Sequence, residues 1–114
     1  MTVAEQVSGS QTCTLATEHT LAETGGANNL PVGKTYVLAL DVANIVASEI
    51  LDIKIYTKTR TGDTARLMYA ATIYGVQGEP NIQTVPIPTA WYTKFTITQN
   101  QGTGRAIPWA VYSL

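Results

Sequence analysis

The sequence predicts an all-β fold: a single-domain antiparallel β-sandwich, jelly-roll-like, of roughly seven to eight strands. Three observations carry that expectation. Apolar residues recur with period two along most of the chain, the signature of half-buried strands. Clusters of Gly, Pro, Asn and Asp separate these stretches at short intervals, as in sandwiches. The chain has 114 residues, enough for one core and too few for a second domain.

Taken in order, residues 1 to 10 are small and polar, with Val3 and Val7 as the sizeable apolar side chains. Such a segment frays in isolation, so it reads as an arm laid on its own sheet or on a neighbouring subunit. Thr12 to Glu23 is rich in Thr and reads as one bent strand or two short ones, anchored by Leu15 and Leu21. Thr24 to Gly33 is a loop, because Gly25-Gly26-Ala27-Asn28-Asn29 with Pro31 supplies turn formers and no apolar face. Tyr36 to Asp41 resumes as a strand whose unbroken Val37-Leu38-Ala39-Leu40 run suits a strand covered on both faces. Val42 to Ile50 is too short for a convincing helix, and reads as a turn in which Ile45 plugs one end of the sandwich.

The central feature is a hairpin from Glu49 to Val76. Leu51, Ile53 and Ile55 alternate with Asp52, Lys54 and Tyr56, and on the return Leu67, Tyr69, Ala71 and Ile73 alternate with Arg66, Met68, Ala70, Thr72 and Tyr74. Burial of one face specifies register, and only an odd loop places the two apolar sets together. That register sets Arg66 across from Lys58 or Arg60, a mildly destabilising like-charge pairing. Beyond it, Gly75 to Asn81 is a loop closed by Pro80, and Ile82 to Ile87 is extended. Pro86 and Pro88 lack amide donors, which confines that segment to an edge or breaks it. Trp91 to Asn100 is a strand with Trp91, Phe95 and Ile97 on its core parity, and Gln99 to Gly104 turns. In Ala106 to Leu114, Ile107, Trp109 and Val111 share a face, and Pro108 asks for an edge position or a bulge.

Charge narrows the function classes. Charged residues are 13% of the chain, about half the usual share, and a surface so poor in charge is often partly covered by a partner. Residues 1 to 50 hold Glu5, Glu18, Glu23, Asp41 and Glu49 against Lys34, whereas the rest hold Lys54, Lys58, Arg60, Arg66, Lys94 and Arg105 against Asp52, Asp63 and Glu79. Either copies associate head to tail through complementary potentials, or the two sets interleave in space and cancel. A pI of 5.7 argues against nucleic acid, whose binders are normally basic. The longest apolar run, near Tyr36 to Val46, is interrupted by Asp41 and Asn44 and is too short to span a bilayer. The first residues lack both the cation and the apolar core of a secretory signal.

Catalytic arrangements are sparse. His19 is the lone His, so no metal site is expected, nor any cofactor, and the chain does not read as an enzyme. No Ser sits in a nucleophile elbow. Gly102-Thr103-Gly104-Arg105 lacks the ending of a phosphate loop and reads as a turn. Asp41, Glu49 and Asp52 are candidate paired carboxylates, more simply solvated at strand ends. Cys13 is alone and reads as a small buried hydrophobe. Tyr56, Tyr74, Tyr92 and Tyr112 oppose the apolar parity, forming either a sugar-stacking platform or an interface layer, while Trp91 and Trp109 read as core. Lys54, Lys58, Arg60 and Arg66 form a basic cluster, either a solvated face or a dock for an acidic protein surface.

Three segments carry a resemblance: Tyr36 to Ile45, Glu49 to Lys58, and Phe95 to Gln101 running through Gly102-Thr103-Gly104-Arg105 into Ala106-Ile107-Pro108-Trp109. Their succession resembles small all-β virion proteins of tailed bacteriophages, above all capsid decoration or cement proteins. It covers roughly residues 18 to 114 and departs from the pattern at Ala47-Ser48, where a Gly is expected before Glu49. The resemblance implies a jelly-roll-like structural protein, made without a signal peptide in the host cytoplasm, that sits outside a phage head. There it bridges major capsid protein subunits as a dimer or trimer. By matching position, Lys54, Lys58, Arg60 and Arg66 are its docking face and Thr2, Val3 and Val7 belong to its arm. The alternative is a carbohydrate-binding or tail-associated adsorption module using the Tyr platform.

Overall fold

The computed structural model describes residues 3–114; Thr2, part of the expected arm, lies outside the described residues. Nine strands follow in order: β1 (Ala4–Thr12), β2 (Glu18–Glu23), β3 (Lys34–Asp41), β4 (Ile50–Thr57), β5 (Arg66–Tyr74), β6 (Asn81–Gln83), β7 (Ile87–Thr89), β8 (Thr93–Gln101) and β9 (Ala106–Ser113). They form two antiparallel sheets packed as a sandwich. One runs β1-β9-β3-β6 with β7 also on β3, and the other runs β2-β8-β4-β5. With β6 and β7 sharing one position, this is the eight-position order of a jelly roll, in which most connections cross from sheet to sheet.

The count exceeds the expected seven to eight because the stretch before β8 is both at an edge and broken. Asn81–Gln83 and Ile87–Thr89 pair with opposite ends of β3, and Pro86 interrupts the ladder between them. The N-terminal arm is a full strand, paired with β9 from Ala4↔Ser113 to Thr12↔Ala106. Gly9 lies opposite Trp109, and a Cβ there would come within 3.3 Å of the indole, so the missing side chain gives the ring its seat. Pro108 sits inside the sheet, but the β9 ladder to β3 stops at Leu40↔Trp109. Its missing N–H therefore costs no bond on that side.

The core lies between the sheets. Tyr36, Leu38 and Leu40 face Leu51, Ile53, Ile55, Phe95 and Ile97, with Ile107, Trp109 and Val111 beside them, and Ile45 closes one end as expected. Each fully buried aliphatic side chain here contributes about 1.5–3 kcal/mol. Three expected core members are corrected: Leu67, turned onto the outer face by a bulge in β5, and two that lie outside the strands. Trp91 is 50% exposed because β8 begins only at Thr93, so strand parity does not extend to it. Leu15 is exposed because it falls in the turn between β1 and β2.

The β4–β5 hairpin keeps the parity-derived register, with Leu51↔Ile73, Ile53↔Ala71 and Ile55↔Tyr69. A bulge then skips Met68, so Tyr56 pairs with Leu67 and Thr57 with Arg66, and residues 58–65 form an even loop in place of the expected odd one, the bulge making up the parity. This overturns the expected like-charge pairing: Arg66 opposes a threonine. At the opposite end of the sandwich, Ser48 adopts φ +70° at the position where a Gly was expected.

Candidate functional site

Of the residues singled out in the sequence, Lys54, Tyr56 and Tyr74 lie on the outer face of the β2-β8-β4-β5 sheet. Cross-strand pairing lays Glu18, Thr98, Asp52 and Thr72 in one row, and Thr20, Thr96, Lys54 and Ala70 in the next. Glu23, Lys94, Tyr56 and Leu67 form the third. On this face the acidic residues Glu18 and Glu23 of the edge strand β2 therefore stand beside the basic residues Lys94 and Lys54 of β8 and β4.

These side chains are laced together. Glu18 Oε2 accepts hydrogen bonds from Tyr56 Oη at 2.7 Å and Thr96 Oγ1 at 2.6 Å. Burial pushes the Glu18 carboxyl up, but those two bonds and the charges of Lys54 and Lys94 outweigh it and hold it below the usual carboxylate value. The same bond to Glu18, aided by burial, raises the Tyr56 phenol. Lys94 Nζ sits 4.7 Å from the Tyr56 ring centroid, and Lys58 Nζ 5.0 Å from that of Tyr92. Tyr92 donates to Glu23, and burial together with that bond raises its phenol strongly. Asp52 accepts from Thr72 at 2.7 Å and from Asn100.

The four predicted cations thus have different surroundings. Lys54 stands mid-sheet beside Glu18, and Lys58 lies over Tyr92. Arg60 is paired with Asp63 at 3.1 Å across its own loop. Arg66 has no ion pair among the described residues and borders an open groove of about 510 Å³ with Thr57, Arg60, Asp63, Leu67 and Met68. Of the arm residues, Val3 is exposed, whereas Val7 packs on the core and its apolar surface is used within the chain.

Strand directions gather a larger surface than the sequence indicated. β1 starts and β9 ends beside the beginning of β3, and the loops 24–33, 58–65 and 90–92 join strands at this same end of the sandwich. Val3, Val32, Leu67, Met68, Trp91 and Leu114 are all exposed there. Lys34, Lys58, Arg60 and Arg66 stand among them, against Asp63 and Glu23. Sequence reasoning missed Trp91 and Val32 because an apolar residue outside a strand has no parity to show which way it faces. Charge at loop tips was the one available signal.

The opposite end is a closed polar cluster. Glu49, 3% exposed, binds Arg105 through Nε at 3.0 Å and Nη2 at 2.9 Å, and accepts from the Val46 and Thr103 amides at 2.9 and 3.1 Å. Hydrogen bonds from Arg105, with help from both amides, hold its carboxyl down at about 2 against the opposing effect of burial. Buried Gln99 donates to the Gln101 and Thr103 carbonyls and accepts from the Arg105 amide. Gly102 is left-handed at φ +87°, and a Cβ would strike the Glu49 side chain; at Gly104 one would fall 2.2 Å from the Cys13 carbonyl oxygen. The glycines serve this turn, and Glu49 anchors the loop through Arg105 and the two amides.

His19 is used in the turn after β1. Its Nε2 accepts from the Thr14 amide at 2.9 Å, and its Nδ1 lies 3.3 Å from Gln11 Nε2. Cys13 is buried, and desolvation raises its thiol, which disfavours the reactive thiolate. Among the described residues no group of three or more His, Cys, Asp or Glu is placed to hold a metal, and no helix is long and apolar enough to cross a membrane. No family model, curated protein or solved structure matches the chain.

Proposed function

We propose that this chain is a capsid decoration protein of a tailed bacteriophage, a non-catalytic brace that binds the outside of the head and bridges major capsid protein subunits as a homo-oligomer. The observation that carries the reading is the end of the sandwich where Trp91, Leu67, Met68 and Val3 stand exposed among Lys58, Arg60 and Arg66. Exposed apolar side chains grouped with cations have the composition of a docking surface: aromatic, Met and Arg residues are enriched at interfaces, and cations steer the approach to a carboxylate-rich partner. The jelly-roll strand order and the resemblance of three segments to virion proteins point the same way. Lys54, mid-sheet, extends the basic surface beyond the end itself. Many copies on one shell multiply a modest single-site affinity.

The alternative, a carbohydrate-binding or tail-associated adsorption module, is less well supported. Lys58 and Lys94 cover the rings of Tyr92 and Tyr56, and Glu23 and Glu18 hold their hydroxyls. Of the four expected platform rings that leaves Tyr74, exposed at the far end of β5, and half-buried Tyr112 on the other sheet, which do not make one stacking surface.

Co-sedimentation with empty capsids tests the proposal. The native chain is expected to pellet with capsids, and the charge-reversed pair Lys58→Glu and Arg66→Glu to lose most of that occupancy while melting like the native chain. Unchanged occupancy of the reversed variant removes the docking end, and capture by a glycan array without capsid binding replaces the reading with the alternative.

A further inference from the structure

The two sheets have four edges, and three carry devices that block strand addition. β1 carries Glu5 and a bulge between Glu5 and Val7. β2 is six residues long, is bulged between Thr20 and Ala22, and has Glu18 and Glu23 at its ends. The β6 and β7 edge is two three-residue pieces separated at Pro86, with Pro88 in the second. β5 is the exception. It pairs only with β4, and beyond the bulge at Met68 its run Tyr69-Ala70-Ala71-Thr72-Ile73-Tyr74 contains no charge, proline or glycine.

The core is also open beside that edge. β5 borders one sheet and β6 the other, and between them lies an apolar cleft of about 130 Å³ lined by Leu38, Leu40, Ile53, Tyr69, Ile73 and Ile82. Tyr69, Ala71 and Ile73 point inward yet are only half-buried, while Ala70, Thr72 and Tyr74 face solvent. An extended strand is the protein segment that pairs with a whole row of edge amides and carbonyls, and this cleft asks that strand for apolar side chains at alternate positions.

We propose that a second copy of this chain supplies that strand, its β5 pairing with this β5, antiparallel and two-fold about Ala71, so that two four-stranded sheets join into one. Residues that face each other across an antiparallel seam share a face. Tyr69 then meets Ile73 of the other copy over the cleft, Ala71 meets itself, and Ala70 meets Thr72. No like charges face each other. Asp52 pairs with Thr72 and Lys54 with Ala70, so each row across the seam has Asp52 on one side and Lys54 on the other. Arg66, the one charge on β5, falls outside the paired stretch. A two-fold contact of this kind closes on itself and leaves no further β5 edge to grow.

This names the copy-to-copy surface of the oligomer proposed above, and it is tested without capsids, so its failure and that of the capsid reading are distinguishable. Light scattering on the eluting full chain is expected to give twice the 12.2 kDa chain mass across a dilution series. The double variant Ala70→Lys and Thr72→Lys sets lysines against lysines at solvent-facing positions. It is expected to lose the dimer while keeping the native circular dichroism and a cooperative thermal transition, whose midpoint no longer depends on concentration. Mixing it with the variant Ala70→Glu and Thr72→Glu is expected to restore a mixed dimer in native mass spectra. A native chain that stays monomeric at every concentration, or a lysine variant that still dimerises, overturns the proposal.

Discussion

Replacing Ser48 by Gly is expected to stabilise the fold, and the sign can be worked from two opposing terms. Ser48 holds φ +70°, a left-handed conformation that costs a residue with a Cβ about 1–2 kcal/mol and costs Gly almost nothing. Gly in turn gives the unfolded chain more freedom, a loss of about 0.4–1 kcal/mol. Ser48 is exposed, so removing its hydroxyl strands no buried group. The turn it makes delivers Glu49 to Arg105, and that geometry is unchanged. The net gain is about 0.5–1 kcal/mol, which for a domain of this size raises the melting temperature by roughly 2–6 °C. Thermal unfolding followed by circular dichroism, with urea denaturation as an independent measure, reads it directly. A melting temperature equal to or below that of the native chain refutes the strain argument. The effect must also be specific: Ser10→Gly, at an exposed β1 position without positive φ, should not stabilise.

Two further perturbations address the anchor at the same end. Glu49→Gln turns an amide donor toward donors and removes the charge facing Arg105; it is expected to cost about 2–3 kcal/mol, below the 3–5 of a fully buried pair because Arg105 reaches solvent. Because the Glu49 carboxyl is lowered from 4.5 to about 2 on folding, its contribution is complete above pH 4.5 and is lost as pH falls towards 2. Urea denaturation across that window should show a loss of stability on acidification that the Gln variant lacks in part, and parallel curves would rule the linkage out. Gly104→Ala places a methyl against the Cys13 backbone oxygen, which cannot rotate away, and is expected to cost about 2–3 kcal/mol in the same denaturation assay. A neutral Ala would show that the loop relaxes freely.

What the sequence by itself determined was local and periodic. Parity along Leu51 to Ile55 and Tyr69 to Ile73 sufficed for the hairpin register, because only one pairing buries both apolar sets. Pro86 marked the broken edge, since a missing amide donor acts wherever the residue lies. Ile45 was legible as a plug because it is the largest apolar side chain in the turn between Asp41 and Glu49. Tertiary structure alone decided the rest. Glu49 and Arg105 are 56 residues apart, and nothing in either neighbourhood shows that the loops they occupy meet. The Met68 bulge that frees Arg66 from a like-charged neighbour depends on strands pairing at full length. Trp91 faces outward because β8 starts two residues after it. The open edge at β5 follows from strand order, and strand order is set by how loops carry the chain between sheets, which period-two alternation does not encode.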